Sequence, residues 1–356
     1  MGVILLGAGI WALGWIFGVA RWRRFMVLVA IWALALIAHL SLPPGHALQH
    51  LFGGDARTWT VLGGVAGLVA AYAFGLARLR ARGRAARQAP ELAVPNTPAQ
   101  DGQFAPGELD RYARHIMLRE IGGPGQQRLK AAKVLVVGAG GLGSPALLYL
   151  AAAGVGEITV IDPDQVDLSN LQRQIIHTED RVGMDKAASA TLTMRALNSH
   201  SKLNSVVAQL DLTNGPALIA SHDLVLDGTD NFDTRYLVNR ICVEHAKPLV
   251  SAAITQWEGQ ISLYDPTHGG PCYECVFPER PLPGMVPTCA EAGVAAPLPG
   301  IIGAMMAMEA LKHITGAGVP LNGRLLIHDA LYGETRVIGV KKRPGCPVCG
   351  SAQPIA

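Results

Sequence analysis

The segment KVLVVGAGGLG, residues 133–143, contains the features that decide the fold of this chain. Residues 133–137 predict a short buried strand, because strands covered on both faces are almost continuously apolar. The glycines that follow allow a tight turn and a close approach of the backbone to a ligand. The apolar residues after the turn predict a helix over 142–153. A strand, a glycine-rich turn and a helix in this order are typical of nucleotide-binding α/β folds.

The flanking residues continue this alternation of strands and helices. We predict helices at 107–118, 124–131, 183–198 and 231–245, and strands at 157–161, 203–209, 223–227 and 248–252. Such alternation predicts a Rossmann-like, doubly wound, mostly parallel sheet with helices on both faces. Residues 255–340 predict antiparallel strands and one apolar helix at 300–314, so we expect an antiparallel C-terminal extension of the sheet.

Charge is unevenly distributed along the chain. Of its 356 residues, 16% are charged, against about 25% in ordinary soluble domains. The net charge is +3, but residues 1–88 contain nine Arg, no Lys and one acid, Asp55, and therefore carry +8. The rest of the chain carries −5. A mildly acidic main domain argues against nucleic-acid binding, which requires clustered Lys and Arg.

Three apolar stretches, 3–20, 25–42 and 58–77, occupy most of residues 1–87. Because about 18–20 helical residues span the hydrocarbon core of a bilayer, we predict three transmembrane helices that form an anchor. A cleaved signal peptide at 3–20 is disfavoured, since no Lys or Arg precedes it and a second apolar stretch follows closely. Buried helices of a soluble domain are the other alternative, but these stretches have little polar surface to offer water.

The arginines predict the orientation of this anchor. Segment 21–24 contains three Arg and segment 78–87 contains five, whereas 43–57 contains one Arg and one Asp. Because basic loops stay in the cytoplasm, we predict an external N-terminus and a cytoplasmic main domain. The protein is thus expected to be a multi-pass protein of the inner (cytoplasmic) membrane. Residues 88–107, with four Pro, predict a linker, and 108–356 the main domain.

Polar residues beyond the glycine turn favour ATP over a dinucleotide. Asp162 ends the strand at 157–161, where a carboxylate can bind ribose hydroxyls; alone it would indicate NAD or FAD. Segments 167–174 (DLSNLQRQ) and 227–231 (DGTDN), together with Lys186, add an Arg, a Lys and an Asp able to bind a metal. A triphosphate requires such charges, whereas hydride transfer does not.

Eight motifs follow one another between residues 110 and 350. They are RYARHIMLREIG (111–122), VLVVGAGGLGSPALLYLAAAGVG (134–156), DLSNLQRQ (167–174), DGTDNFDTRYLVN (227–239), PCYECVFPE (271–279), VPTCAEAGV (286–294), LPGIIG (298–303) and RPGCPVCG (343–350). Together they resemble the MoeB/ThiF sulfur-carrier adenylyltransferases, relatives of ubiquitin-activating enzymes. The resemblance implies ATP-dependent adenylylation of the C-terminal Gly-Gly carboxylate of a small ubiquitin-like sulfur carrier. This step precedes thiocarboxylate formation of the molybdopterin or thiamine type.

The resemblance also implies roles for individual residues. The implied ATP site comprises Gly138, Gly140, Gly141, Gly143, Asp162, Asn170, Arg173 and Lys186. In it Asp162 binds the ribose, and Asn170, Arg173 and Lys186 contact the phosphates. Asp230 is implied to hold Mg²⁺. Arg114 is similar to the arginine that family members insert into the neighbouring subunit's site, which implies a homodimer.

Four of the six cysteines form two C-x-x-C pairs. These are Cys272, Cys275, Cys346 and Cys349. Four thiolates suit tetrahedral Zn²⁺ in a closed structural site, and the resemblance also implies zinc. A redox or Fe–S role is the weaker alternative, because nothing around the pairs resembles a thioredoxin active site.

The two remaining cysteines, Cys242 and Cys289, lie outside these pairs. In some relatives the cysteine matching Cys289 forms a covalent link to the carrier or its sulfur, and in others it is dispensable. Its sequence neighbours include no His or Lys that would mark a lowered pKa, so both alternatives stay open. Cys242 lies in an apolar helix and is predicted to belong to the core.

Other functions compete with carrier adenylylation. One is adenylation of a modified tRNA or a peptide, although the acidic main domain argues against tRNA. A membrane scaffold that retains the nucleotide fold is disfavoured by the intact set Asp162, Arg173, Lys186 and Asp230, and an NAD-linked oxidoreductase comes last. No rhodanese-like domain follows Cys349, so we expect the sulfur from another protein, such as a cysteine desulfurase or rhodanese. The carrier and its pathway stay open.

Overall fold

The computed structural model describes residue 18 and residues 20–87, 103–281 and 292–350. Backbone contacts divide the chain into two compact units, residues 1–95 and 96–356.

The described residues of the first unit form three helices: α1 (Arg21–Ser41), α2 (Ala47–Phe52) and α3 (Ala56–Arg87). Helices α1 and α3 contact each other where Trp32 Nε1 donates a hydrogen bond to the Trp59 carbonyl, at 2.8 Å. Gly63 lies directly against the Trp32 ring, so a larger residue at this position would separate the two helices. The unit is therefore built around a packed pair of apolar helices.

Two of the three predicted spans are observed as helices. Segments Arg23–Ser41 and Ala56–Leu79 are long and apolar enough to cross a membrane, and their residues are largely exposed within the unit. The predicted span 3–20 lies outside the described residues. Within the described part of the chain there are thus two candidate spans rather than three.

The second unit alternates strands and helices. Its helices are α4 (Glu108–Ile116), α5 (Gly122–Ala131), α6 (Gly143–Ala153), α7 (Lys186–Leu197), α8 (Gly215–Ala220), α9 (Phe232–Glu244), α10 (Tyr273–Val276) and α11 (Pro297–Thr315). Its strands are β1 (Lys133–Val137), β2 (Glu157–Ile161), β3 (Lys202–Val206), β4 (Leu224–Asp227), β5 (Leu249–Ile254), β6 (Glu258–Tyr264), β7 (Arg324–Asp329) and β8 (Glu334–Gly339).

All eight strands form one sheet in the order β3-β2-β1-β4-β5-β6-β7-β8. The first five strands in this order are parallel, and β6, β7 and β8 continue the sheet in antiparallel fashion. The predicted α/β fold with an antiparallel C-terminal extension is confirmed. From β1 the chain adds β2 and β3 on one side and then crosses over to add β4 on the other side. The order of the strands therefore reverses between β1 and β4, although these two strands are parallel. Ligands of such sheets bind at the carboxyl ends of the strands at this reversal.

Apolar side chains cover both faces of the sheet, which explains the continuous apolar character of its central strands. One face packs against α6, α7 and α11, where Leu147 and Met306 are fully buried. The other face packs against α8 and α9, where Ile219 and Tyr236 are buried. These two layers fix the glycine turn after β1 on a rigid base.

Candidate active site

The glycine turn joins the end of β1 to the start of α6. Gly138 has φ = +94°, a left-handed conformation that side chains rarely adopt. A Cβ atom at Gly143 would overlap the carbonyl oxygen of Gly138, and a Cβ at Gly138 would lie 3.3 Å from the carbonyl oxygen of Gly228, just after β4. The loops after β1 and β4 therefore pack backbone against backbone at the reversal point of the sheet.

Asp162 lies beside this turn, directly after β2. It is 5% exposed. Its Oδ2 accepts a hydrogen bond from the Ala139 N–H at 2.7 Å, and its Oδ1 accepts one from the Asp164 N–H at 2.9 Å. Burial raises the pKa of Asp162, although both N–H donors act in the opposite direction. The turn thus contains a buried carboxylate able to accept hydrogen bonds from ribose hydroxyls.

Two cationic side chains border the same turn. Arg173 Nη2 donates to Asn170 Oδ1 at 2.7 Å, and Arg173 Cγ lies 3.7 Å from the position of a Cβ on Gly141. Lys186, 6% exposed at the start of α7, donates from Nζ to Asp164 Oδ2 at 2.8 Å. The predicted residues Asn170, Arg173 and Lys186 are therefore brought to one edge of the sheet. They lie near a loop whose backbone N–H groups suit phosphates.

Asp230 follows β4 in a loop that is anchored by Asp227. Asp227 is fully buried and accepts hydrogen bonds from the Thr229 N–H at 3.0 Å and from Ser251 Oγ at 2.9 Å. Arg235 Nη1 lies 4.0 Å from the same carboxylate. Asp230 itself is exposed and forms no hydrogen bond or ion pair with the described residues. Its carboxylate is available to a cation.

The side-chain oxygen of Gln174 is a buried acceptor without a partner in the described part of the chain. Gln174 is 5% exposed, and its Nε2 lies 3.7 Å from the position of a Cβ on Gly140. A buried acceptor of this kind is costly unless a ligand or water satisfies it. The glycine turn, the two cations, the buried carboxylate and this orphaned acceptor together fit a nucleoside triphosphate.

The four paired cysteines converge on one point, with all four Sγ atoms within 4.8 Å of one another. Cys272 Sγ lies 3.7 Å from Cys346 Sγ, and Cys275 Sγ lies 3.3 Å from Cys349 Sγ. Zn–S bonds of about 2.3 Å give a tetrahedron with edges of roughly 3.8 Å, so the cluster fits a zinc ion.

The protonation of these thiols favours a bound cation. Burial and the neighbouring thiols raise the pKa of Cys272. Burial also acts on Cys346, but the N–H groups of Cys349 and Val348 lower its pKa to about 7. Because thiolates crowded together repel one another, a cation is needed to hold all four ionised.

One predicted catalytic residue, Arg114, does not contact the residues around the glycine turn. Arg114 is exposed on α4, where its Nη1 lies 3.9 Å from Met117 Sδ, and it forms no hydrogen bond or ion pair with the residues around the glycine turn. Cys289 lies outside the described residues. Cys242 is buried on α9, which confirms its predicted place in the core.

Sequence reasoning missed the residues that support the site. Asp227 and Ser251 immobilise the Asp230 loop, and His177 bonds to the glycine turn. Asp227 could have been found, because it is an acid at the end of an apolar strand. His177 could not, since its principal contact is to a backbone carbonyl and leaves no pattern in the sequence.

A model of the ThiF family matches residues 112–348, which include the glycine turn, Asp162, both cations, Asp230 and three of the four clustered cysteines. The chain belongs to the ThiF family.

Several known proteins are similar to this ThiF chain. It is 50% identical over 247 residues to a sulfur carrier protein adenylyltransferase of Thermus thermophilus, covering 68% of this chain and 91% of that protein. It is 49% identical over 243 residues to a SAMP-activating enzyme E1 of Haloferax volcanii, covering 68% and 89%. Among solved structures, E. coli MccB in complex with MccA-N7isoASN superposes with a TM-score of 0.61 at 25% identity, covering 68% and 75%.

Proposed function

We propose that this ThiF protein is an ATP-dependent adenylyltransferase that activates the C-terminal Gly-Gly carboxylate of a small ubiquitin-like sulfur carrier. The observation that carries the proposal is the meeting of Asp162, Arg173 and Lys186 at one glycine turn. The high identity to a sulfur carrier protein adenylyltransferase and to a SAMP-activating enzyme E1 supports the choice of substrate.

The reaction joins two anions, and the site provides the charge that this requires. A carboxylate oxygen of the carrier attacks the α-phosphorus of ATP, the bond to the β-phosphate bridging oxygen breaks, and pyrophosphate leaves with that electron pair. The carboxylate is already ionised at neutral pH, so no general base is needed. Arg173 and Lys186 stabilise the negative charge that accumulates in the transition state, and the glycine turn holds the phosphates in line.

Asp230 would hold Mg²⁺, which binds one or two carboxylates together with substrate phosphates. When bound, the ion neutralises phosphate charge. The hydrogen bonds of the buried Asp227 hold the loop after β4 in place, and this loop carries Asp230. In the same way Asp162 would bind the ribose, and Asn170 would position Arg173.

The acyl-adenylate is the expected precursor of a carrier thiocarboxylate. The sulfur would come from a donor protein such as a cysteine desulfurase or rhodanese, within molybdenum cofactor or thiamine biosynthesis. Cys289 either forms a covalent link to the carrier or its sulfur, or is dispensable. The cysteine cluster would bind zinc as a structural site, and Arg114 would complete the site of a partner copy in a homodimer.

Residues 1–87 would anchor the enzyme in the inner membrane, with the adenylyltransferase domain, residues 108–356, in the cytoplasm and 88–107 as the linker. The two described apolar helices and the arginines of segments 21–24 and 78–87 support this arrangement. We expect the full chain to stay in membranes after alkaline washing, and a chain that begins at residue 96 to be released. Release of the full chain by alkaline washing would contradict the anchor.

The experiment that tests the function is ATP–pyrophosphate exchange with purified candidate carriers. Exchange should require a carrier with a free Gly-Gly end, and a carrier that lacks its final glycine is the matched control. Exchange that depends on tRNA or on a peptide instead of a carrier would redirect the assignment. Nucleotide binding without any exchange would favour a membrane scaffold.

A further inference from the structure

His177 is a buried histidine that connects the glycine turn to the helix of Lys186. It is 5% exposed. Its Nε2 lies 2.9 Å from the carbonyl oxygen of Ala139, and its Nδ1 lies 2.9 Å from Ser189 Oγ on α7. Ser189 follows Lys186 by one helical turn. A single side chain thus bridges two of the elements that form the site.

The two contacts determine the tautomer of His177. A carbonyl oxygen only accepts hydrogen bonds, so Nε2 must carry the proton and donate it to Ala139. In the neutral ring Nδ1 then accepts the hydroxyl proton of Ser189. Burial lowers the pKa of His177; the hydrogen bond to Ala139 acts in the opposite direction, and the nearby charges of Lys186 and Arg181 act in the same direction as burial. The ring is therefore neutral at physiological pH.

The bond to Ala139 fixes the direction of the next N–H group in the turn. In a trans peptide the C=O and the N–H point in opposite directions. Holding the Ala139 carbonyl toward His177 therefore turns the Gly140 N–H away from His177. Ser144 Oγ lies 3.5 Å from the same carbonyl, at the limit of a hydrogen bond, so His177 is its principal donor.

The Gly140 N–H has no hydrogen-bond acceptor in the described part of the chain. The N–H of the preceding residue, Ala139, is bound by the buried carboxylate of Asp162. Both sides of Ala139 are thus held, by His177 and by Asp162, while the following N–H is left for a ligand. N–H groups at the start of a helix are the usual donors to phosphate oxygens.

We propose that His177 is a positioning residue for ATP: by donating to the Ala139 carbonyl it directs the Gly140 N–H at a phosphate and couples the glycine turn to the helix that carries Lys186. This inference rests on the proposed function, because it takes ATP as the ligand. His177 itself does not touch the nucleotide.

The test compares His177→Leu with His177→Gln in the full-length protein. Leucine removes both hydrogen bonds, whereas the glutamine amide nitrogen can reach the position of Nε2 and donate to Ala139. The matched control is His222→Leu. His222 is equally buried and also joins two elements, through Thr159 Oγ1 at 2.8 Å and the Leu218 carbonyl at 2.7 Å, but it precedes β4 at the opposite end of the sheet.

Two measurements are made on each variant: the dissociation constant for Mg²⁺ with α,β-methylene-ATP by calorimetry, and the KM values for ATP and carrier in the exchange assay. We expect His177→Leu to weaken nucleotide binding and raise the KM for ATP by roughly tenfold, since a misdirected donor costs about one charge-assisted hydrogen bond. The KM for the carrier should be unchanged, and His177→Gln should restore most of the affinity. His222→Leu should lower the melting temperature without changing the KM for ATP.

Unchanged nucleotide affinity in His177→Leu would overturn the proposal. An equal loss in His177→Leu and His177→Gln would also overturn it, since the donor would then not matter. Loss of affinity together with an equal rise in the KM for carrier would indicate general damage to the fold and count against it. Calorimetry needs no carrier, so nucleotide binding without exchange would sink the proposed function while leaving the role of His177 supported.

Discussion

Asp162 is a residue in which stability and ligand binding oppose each other. Its carboxylate is almost fully buried beside the glycine turn, and burial raises its pKa. A group whose pKa is higher in the folded state than in the unfolded state is more easily ionised after unfolding. The free energy of unfolding therefore falls as the pH rises through the folded-state pKa of Asp162. At neutral pH the ionised carboxylate still lowers the stability of the fold.

We expect the variant Asp162→Asn to be more stable than the wild type at neutral pH. It should bind ATP about tenfold to a hundredfold more weakly, because the ribose hydroxyls lose a charged acceptor. Its amide oxygen can still accept the Ala139 N–H, but its amide nitrogen cannot accept the Asp164 N–H, which offsets part of the gain in stability. The gain in melting temperature should shrink at acidic pH, as the wild-type carboxyl becomes protonated at its raised pKa. Scanning calorimetry at neutral and at acidic pH and nucleotide titration check this expectation.

Asp211→Asn serves as the control for Asp162→Asn. Asp211 is an exposed acid that accepts hydrogen bonds from the N–H groups of Thr213 and Asn214 in a surface turn. Its substitution should change neither the melting temperature nor the affinity for ATP appreciably. A destabilised Asp162→Asn protein would mean that the ionised carboxylate supports the fold instead of opposing it.

At the scale of elements, helix α4 is a firmly held support for an exposed arginine. Glu108 is buried and receives Lys130 Nζ at 2.6 Å, and Tyr112 OH accepts a hydrogen bond from Asn198 Nδ2 at 2.8 Å. Tyr112 packs directly against Gly154, where any side chain would overlap it. The opposite side of α4 presents Arg114 to the surroundings. This arrangement suits an arginine that acts on another copy of the chain.

A mixture of two inactive variants tests this role of α4. Arg114→Ala and Arg173→Ala should each lose on the order of 10²-fold in exchange rate. If Arg114 acts in the neighbouring subunit, co-refolding or co-expression of the two variants should restore about a quarter of the wild-type activity, since half of the dimers then contain one intact site. Activity that stays at the level of either single variant would place Arg114 in its own chain's site or outside the reaction.

The turn between β1 and α6 depends on the absence of a side chain at Gly143. A Cβ atom there would overlap the Gly138 carbonyl oxygen, so Gly143→Ala must displace the turn. We expect a loss of about 1–3 kcal/mol in the free energy of unfolding and a larger loss of ATP binding. Urea denaturation measures the first and nucleotide titration the second.

Gly123→Ala is the comparison for Gly143→Ala. Gly123 lies in helix α5 with open space around its Cα, so alanine should be neutral or stabilising there. Equal changes in the free energy of unfolding and in ATP binding for the two variants would show that the close contact between Gly138 and Gly143 is not required for the conformation of the turn.

At the scale of the whole molecule, the parallel half of the sheet was the part most open to prediction. Strands 133–137 and 157–161 are observed at their predicted bounds, because both are short segments rich in Val, Leu and Ile that end at Gly138 and Asp162. The helix predicted at 183–198 begins later, at Lys186, and the predicted strand 203–209 ends at Val206. The short helix α8 has only six residues, too few for a periodic pattern to identify it.

The site was predictable where the sequence itself places chemistry at strand ends. Asp162 and Asp230 follow β2 and β4, so the topology alone brings them to one edge. The bonds of His177 to Ala139 and Ser189, and that of Asp227 to Ser251, join positions far apart in the chain. Only the folded geometry reveals such contacts.

The cysteine cluster joins distant parts of the second unit, so metal removal should affect the fold before the chemistry. We expect about one zinc per chain, and a fall in melting temperature of more than about 5 °C after chelation. Cys349→Ser should lose the metal, whereas Cys242→Ala, which empties a core position outside the cluster, should keep it. Metal analysis and thermal denaturation check both. A chain that keeps its melting temperature without any bound metal would contradict a structural role.

The positions of the four cysteines in the sequence also determine when the cluster can form during synthesis of the chain. Strands β7 and β8 lie between the two cysteine pairs in the sequence. Cys272 and Cys275 therefore leave the ribosome long before Cys346 and Cys349. The nascent chain can form its parallel strands before Cys346 and Cys349 have been synthesised. If the cluster binds an ion, its four ligands are complete only after residue 349 has been synthesised, and a ribosome stalled before this residue would leave an incomplete site.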